Sequence, residues 1–519
     1  MQIRLRGRHF PPTRPLQVLF PSLPPAPEHR IAHRVLLAVF VLHALLGAAL
    51  GLSVDEAHYL LYAAHPALSY FDHPPLVGWV QMPLVALDAP VAVLRLVPGV
   101  FWLLTVWGVH RLTLRLFAGQ ALAPRAALAA LLALALAPML HVLGIGLLPD
   151  TLLMALTVAL MHQTWTLMQP GAMTRAAPWW VMGVLLGLSG LAKYTAAFTA
   201  LAIAVCVLGA QGMRVLRLPA LWGGLAIAAL LIAPVLLWNS WNEWISFTYQ
   251  IAHGKGSAWQ LSHVLHFVLT QLLVFGPLLL FALPGWRTAS PALRPLAWLF
   301  AIPFAIFTYM SGGGTALPHW TGPSWVALTP FAGWGLAQLW RGSARWWSVS
   351  LAALQMLVCA GLLGLMLSAG WPALKGSDAA VAPQPNPFAD LHGWDVAGAR
   401  AQTLAAQQGL ARVAVQNWTL ASRLGWYARP LPVFVLENGD SQFKLWVGDL
   451  PAGQGALLVD WSHMAYEPPV GAHGFASCTL LESLPVQHWG TPLASFRFYN
   501  CRGWSGGTPQ PRLTLAPNS

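Results

Sequence analysis

The feature that most constrains this chain is a series of long apolar runs without a charged residue, among them Ala126 to Leu143 and Val349 to Ala369. A helix needs roughly 20 apolar residues to cross the hydrocarbon core of a bilayer. Backbone amides find no water there, so runs of this length are expected to be transmembrane helices. Composition agrees, because 57% of the 519 residues are hydrophobic and only 8% are charged, against roughly 25% in soluble domains. The net charge of +12 does not indicate nucleic acid, since the arginines sit singly between apolar runs rather than in clusters. The expected surroundings are membrane lipids.

Charged and Pro/Gly-rich breaks place spans near 35–52, 91–110, 126–144, 151–168, 178–192, 195–210, 218–238, 263–283, 295–310, 322–340 and 347–370, about eleven in all. Residues 1–34 form a basic, proline-broken tail that lacks a small-residue cleavage site. With that tail in the cytoplasm, alternation puts Arg111, Arg115, Arg125, Arg175, Arg214, Arg217, Arg287, Arg294, Arg341 and Arg345 all inside. Asp55, Glu56, Asp72, Asp88, Asp150 and Glu243 then all fall outside. Carboxylates contribute little to orientation, so their one-sided placement suggests an external polar site, although outer loops also need polar residues for their own sake.

The expected fold is therefore mainly α: a polytopic helical membrane domain over 35–374, with a first outer loop at 53–90 and a soluble α/β domain at 375–503. Strand-like Arg412 to Gln416, Pro432 to Leu436 and Leu457 to Trp461 alternate there with helix-like Val396 to Gln408 and Thr419 to Tyr427. An odd number of spans puts this domain in the periplasm of a multi-pass inner-membrane protein. Cys478 and Cys501 could pair in such an oxidising compartment, whereas Cys206 and Cys359 lie within apolar runs. The Gly/Pro/Ser-rich tail 504–519 is expected to be unstructured.

In the first outer loop, Ser53 and Glu56 have the spacing of a capping box, which gives Glu56 a structural reason to be present. Asp55 has a weaker one, a modest dipole stabilisation in a first helical turn, so of the two catalytic candidates it is the better base. Further on, Pro74 and Pro75 force His73 out of helical geometry and present Asp72 and His73 on a stiff turn, or simply stop one helix and start another. Lys193 ends an apolar run, where lysines often only snorkel to the interface. Asp150, between Pro149 and Thr151, could merely cap its helix.

Asp55-Glu56-Ala57-x-Tyr59 just after the first span, followed by Tyr70-Phe71-Asp72-His73-Pro74-Pro75-Leu76, resembles the bacterial protein-mannosyltransferase-like group of GT-C glycosyltransferases, which includes the aminoarabinose transferases. Leu148-Pro149-Asp150, Gly190-Leu191-Ala192-Lys193-Tyr194 and Pro318-His319-Trp320 match in the same order, and Asp390-x-x-Gly393-Trp394 and Ser441-Gln442-Phe443-x-x-Trp446 match elements of the outer domain. Phe443 stands where tyrosine is expected, and His58 where an aromatic or small residue is commoner. The resemblance implies a GT-C fold. It also implies an inverting transferase that moves a hexosyl or pentosyl unit from a polyprenyl-phosphate donor to a lipid, glycan or protein acceptor, for example in lipopolysaccharide or lipid A modification.

On this basis Asp55 and Glu56 are the catalytic candidates, and Asp72, His73, Asp150, Lys193, Tyr194, His319 and Trp320 the substrate-binding ones. Lys193, Lys255, His73 and His319 are the expected partners of the donor phosphate, with the loop 239–262, which carries His253, over the headgroup. The sequence identifies no cofactor, no metal-ligand spacing such as HExxH occurs, and a divalent cation held by outer carboxylates stays open. The main alternative is a transporter or flippase for lipid-linked sugars. It would call for polar residues near span centres and related halves, neither of which is evident in the sequence.

Overall fold

The structure is a computed structural model describing residues 27–340, 345–370 and 388–506. Most of the basic tail, Arg341, the domain boundary at 375 and residues 507–519 of the C-terminal tail lie outside the described residues.

Helices dominate. In the first part are α1 (Pro27–Ala49), α2 (Val54–Ala64), α3 (Leu76–Trp79), α4 (Met82–Ala86), α5 (Val91–Leu94), α6 (Leu96–Leu116), α7 (Ala123–Ala135), α8 (Pro138–Ile145) and α9 (Pro149–Met168). They are followed by α10 (Ala176–Ala192), α11 (Ala196–Gln211), α12 (Pro219–Trp241), α13 (Ile245–Lys255), α14 (Leu261–Phe275), α15 (Leu278–Thr288), α16 (Trp298–Ser311), α17 (Gly322–Leu339) and α18 (Arg345–Leu367). Each expected span coincides with one of these helices or with a bent pair of them. The first helix reaches back to Pro27, so the part of the basic tail carrying Arg30 and Arg34 is helical, with both arginines exposed.

Among the described residues five helices are long and apolar enough to cross a membrane, with α5 and α6 taken together as one, or up to seven if each of two bent pairs is one span. The pairs are α7 with α8, bent by 70°, and α14 with α15, bent by 82°. Their breaks have local causes. Pro138 opens α8 without an amide to donate backwards, and Gly276 at φ +80 followed by Pro277 ends the α14 ladder. The charge-free run 126–144, expected as one span, is therefore two helices.

Helix pairs approach closely where side chains are small. A Cβ on Gly183 would come 2.1 Å from the Gly224 carbonyl oxygen, and one on Gly285 would come 2.0 Å from that of Phe331, so these glycines permit the α10–α12 and α15–α17 crossings. Helix α17 is buried along nearly its whole length, which makes it the centre of the bundle rather than a lipid-facing rod.

After residue 388 come α19 (Trp394–Gln407), β1 (Val413–Val415), α20 (Trp418–Tyr427), β2 (Val433–Val435), α21 (Gln442–Val447), β3 (Ala456–Trp461), β4 (Phe475–His488) and β5 (Thr491–Trp504). They form a small mixed sheet in the order β2-β1-β3-β5-β4. The first three strands are parallel, crossed by α20, and the β4–β5 hairpin adds antiparallel to β3. Cys478 and Cys501 face each other across that hairpin and form a disulfide.

Candidate functional site

The site begins where α1 stops. Ser53 caps α2: its hydroxyl accepts from the Glu56 amide at 3.4 Å, and Glu56 Oε2 accepts from the Ser53 amide at 3.0 Å, closing the expected capping box. Glu56 does more than cap. The buried Arg95 donates Nε to Oε1 at 2.8 Å and Nη2 to Oε2 at 2.7 Å, and it also bonds the Leu50 and Gly51 carbonyls beyond the end of α1. A buried ion pair tolerates its desolvation only when the remaining hydrogen bonds are made, as here. Glu56 is thus fixed between the end of α1, the start of α2 and Arg95. Among the described residues no side chain holds the half-buried Asp55 carboxylate by a hydrogen bond or ion pair. Burial raises its pKa to about 6, against the nearby charge of His58 and with Asp72 and Glu56 adding to the rise.

Asp72 lies on the turn foreseen from the two prolines. The Tyr62 hydroxyl donates to its carboxylate, and His58 and His73 approach it at 3.5 and 3.9 Å. The stacked rings of Tyr62 and Tyr70, 3.6 Å apart, back the turn. Burial opposes ionisation of Asp72, but His58, His73 and the Tyr62 hydroxyl outweigh it and hold the carboxyl well below the usual range. Burial lowers His73 to about 4 despite Asp72, so its imidazole is neutral at pH 7.

Opposite stands a second cluster. Asp150 lies in the first turn of α9 but does not cap it: the Leu148 amide bonds the Thr151 hydroxyl at 3.3 Å instead. The Asp150 carboxylate receives both bonds from Lys193 Nζ, at 2.8 and 2.6 Å, with both residues buried. His319 Nε2 is 3.6 Å from the same carboxylate, and Lys193 Nζ lies 5.3 Å from the centre of the Trp320 ring. Lys193 is therefore buried and paired with a carboxylate rather than snorkelling to the interface. Burial lowers its pKa against the pull of Asp150. His319 falls to about 4 for the same reason, burial, with Asp150 opposing. Tyr194 packs on Phe247, 5.3 Å between ring centres.

The two clusters face one site. The charges of both Asp72 and Asp150 act on His73 and on the buried Tyr59, and those of Lys193 and Asp72 act on Asp55. A run of rings from Phe71 through Tyr249 and His253 to Trp320, with centres 4.6, 5.6 and 6.0 Å apart, spans between them. His263 is engaged by the Gly312 carbonyl, and the Lys255 side chain is not among the described residues. No cluster of three or more His, Cys, Asp or Glu with metal-holding geometry occurs among the described residues.

Residues 72–238 match the family model of dolichyl-phosphate-mannose-protein mannosyltransferases. The lipid A galacturonosyltransferase RgtD of Rhizobium johnstonii is 25% identical over 305 residues, which cover 56% of this chain and 62% of that relative's length. Crystal structures of ArnT from Cupriavidus metallidurans, in the apo state and bound to undecaprenyl phosphate, superpose with TM-score 0.61 at 17% identity, covering 93% of this chain and 99% of that one. The fold is that of the aminoarabinose-transferase-like GT-C glycosyltransferases.

In this GT-C scaffold the C-terminal region supports the site directly. Gln442 Oε1 accepts from the Phe71 amide at 2.8 Å, the Tyr427 hydroxyl accepts from the Leu52 amide at 3.1 Å, and His58 Nδ1 pairs with the Ser422 hydroxyl at 3.1 Å. Phe443 and Trp446 pack around His58, which accounts for a histidine at that position. From α13, Gln250 donates to the Asp72 carbonyl at 2.5 Å and Ser246 to the Tyr70 carbonyl at 2.8 Å. Sequence reasoning overlooked Arg95, Gln250 and Ser422. The signal for Arg95 was available: a lone cation inside an apolar stretch must find a buried partner.

Proposed function

We propose that this protein is an inverting glycosyltransferase that takes a sugar from a polyprenyl-phosphate carrier and delivers it to a hydroxyl of a glycolipid acceptor. The observation that carries this reading is the free Asp55 carboxylate, with a pKa raised to about 6, beside the buried Asp150–Lys193 pair and the partly exposed His319. A base needs a pKa near the operating pH and an open face toward the proton it removes. Asp55 has both, and Glu56, locked by Arg95, positions it. Asp72 orients His73 and His58.

In the proposed reaction the acceptor oxygen attacks the anomeric carbon, its proton passes to Asp55, and the bond from that carbon to the phosphate oxygen breaks. The departing phosphodiester is already a weak base, so it needs N–H donors rather than an acid. Neutral His73 and His319 can supply them, with Lys193 held between Asp150 and the phosphate and Trp320 beneath it. Tyr194 shapes the floor. The ArnT neighbour bound to undecaprenyl phosphate supports the donor class, and the lipid A galacturonosyltransferase relative supports a glycolipid acceptor.

The site is assigned to the periplasmic face of the inner membrane, with the domain beyond about residue 375 outside. The loop arginines from Arg111 to Arg345, which alternation puts on one side, and the Cys478–Cys501 disulfide support this orientation. The direct test is transfer by purified protein from a polyprenyl-phosphate sugar to a glycolipid without nucleotide. Movement of the donor across vesicles without covalent transfer would sink the enzyme reading in favour of a carrier.

A further inference from the structure

A second recess lies at the other end of the bundle. It is a cavity of about 380 Å³ between α1, α7, α15, α17 and α18, opened where α14 breaks at Gly276. Its walls are apolar, with Leu132, Phe281, Leu336 and Leu351 among them. One end is different: Glu28 and Arg125 meet there in a loose pair, 3.6 Å apart, and Trp340 stands at the rim, half exposed. The Arg125 side chain is 55% exposed and free to turn to another anion.

Tryptophan and arginine at a helix end mark the headgroup level of a bilayer, so the apolar part of this recess lies at the depth of acyl chains. A dry cavity of roughly 150 Å³ already takes up benzene, and this one is more than twice as large. In a chain read as membrane-spanning, the molecule at hand with a long hydrocarbon and an anion at that level is a phospholipid. Helix α1 runs 23 residues from the cavity mouth to the loop that carries Asp55, a rise of about 35 Å. A phosphate on Arg125 therefore cannot belong to a donor whose sugar sits at Asp55.

We propose that this cavity binds one acyl chain of an anionic phospholipid in the leaflet opposite the candidate site, with the lipid phosphate on Arg125 in place of Glu28. Full-length protein in phosphatidylcholine nanodiscs is labelled with trace phosphatidylglycerol carrying a diazirine in its acyl chain, and the cross-linked peptides are mapped. The expected adducts fall within 128–136, 336–340 and 348–355. Excess unlabelled phosphatidylglycerol should displace them, whereas phosphatidylcholine, inorganic phosphate and polyprenyl phosphate should not. Arg125→Gln, at an exposed position, should cut labelling about tenfold by loss of a charge-assisted contact, and Ala133→Phe, which fills the cavity, should abolish it. Labelling spread evenly over lipid-facing helices would overturn the proposal. So would equal displacement by phosphatidylcholine, or displacement by inorganic phosphate or polyprenyl phosphate.

Discussion

At the scale of single residues, the adjacent carboxylates Asp55 and Glu56 are separated by their partners. Asp55→Asn keeps shape and hydrogen bonding but removes basicity, so transfer to a hydroxyl should fall by about two to four orders of magnitude with folding intact. The raised pKa gives this a pH signature. The basic form is lost as pH falls through about 6, so kcat/KM should drop below that pH, level off above it, and lose this limb in Asp55→Asn. Glu56→Gln breaks a buried ion pair with Arg95, and about 3–5 kcal/mol of stability should go with it. Thermal unfolding measures that loss, while turnover per folded molecule should stay well above that of Asp55→Asn. Lys193 and Asp150 act as a pair. Each single change, Lys193→Met or Asp150→Asn, leaves a buried polar partner, so the double variant should be markedly less damaged than the sum of the singles in donor KM and stability. Additive losses would show that Lys193 and Asp150 act separately.

At the scale of elements, the sequence exposed what depends on local pattern. The capping box was legible because Ser53 and Glu56 are three residues apart, and the stiff turn at Asp72 because prolines restrict their neighbours. Three strands and two helices of the C-terminal region were legible up to Trp461 as short apolar runs between helix-like stretches, and those strands are buried at every position, whereas the short helix α21 was not foreseen. The long β4–β5 hairpin was not, because its faces alternate irregularly and β4 is largely exposed. What a local pattern cannot carry is which distant group meets which. His58 with Ser422, Phe71 with Gln442 and Glu56 with Arg95 are contacts made only after the chain folds. The breaks at Pro138 and Gly276 were written in the sequence but were outweighed by the hydropathy of their flanks. The seam itself is testable: Gln442→Ala leaves the Phe71 amide without its acceptor, and about 1–3 kcal/mol of loop stability should be lost. Faster protease cleavage or hydrogen exchange in 66–76, with the rest of the chain unaffected, would report it.

At the scale of the whole molecule, an apolar bundle carries a polar site at one end, held from outside the bundle by α13, α20 and α21. Composition alone foretold the bundle, and charge asymmetry its proposed orientation. A cysteine introduced at Arg400 should be labelled by membrane-impermeant reagent from the periplasm, and labelling only after rupture of the inner membrane would reverse the catalytic side. The account's central claim is covalent sugar transfer with Asp55 as base. Its most direct test is the initial rate of sugar transfer from a polyprenyl-phosphate donor to a glycolipid acceptor by purified protein, wild type beside Asp55→Asn at matched folding. The account predicts nucleotide-independent transfer in the first and a loss of at least about a hundredfold in the second. Equal rates in the two proteins, or no transfer by either, would contradict it.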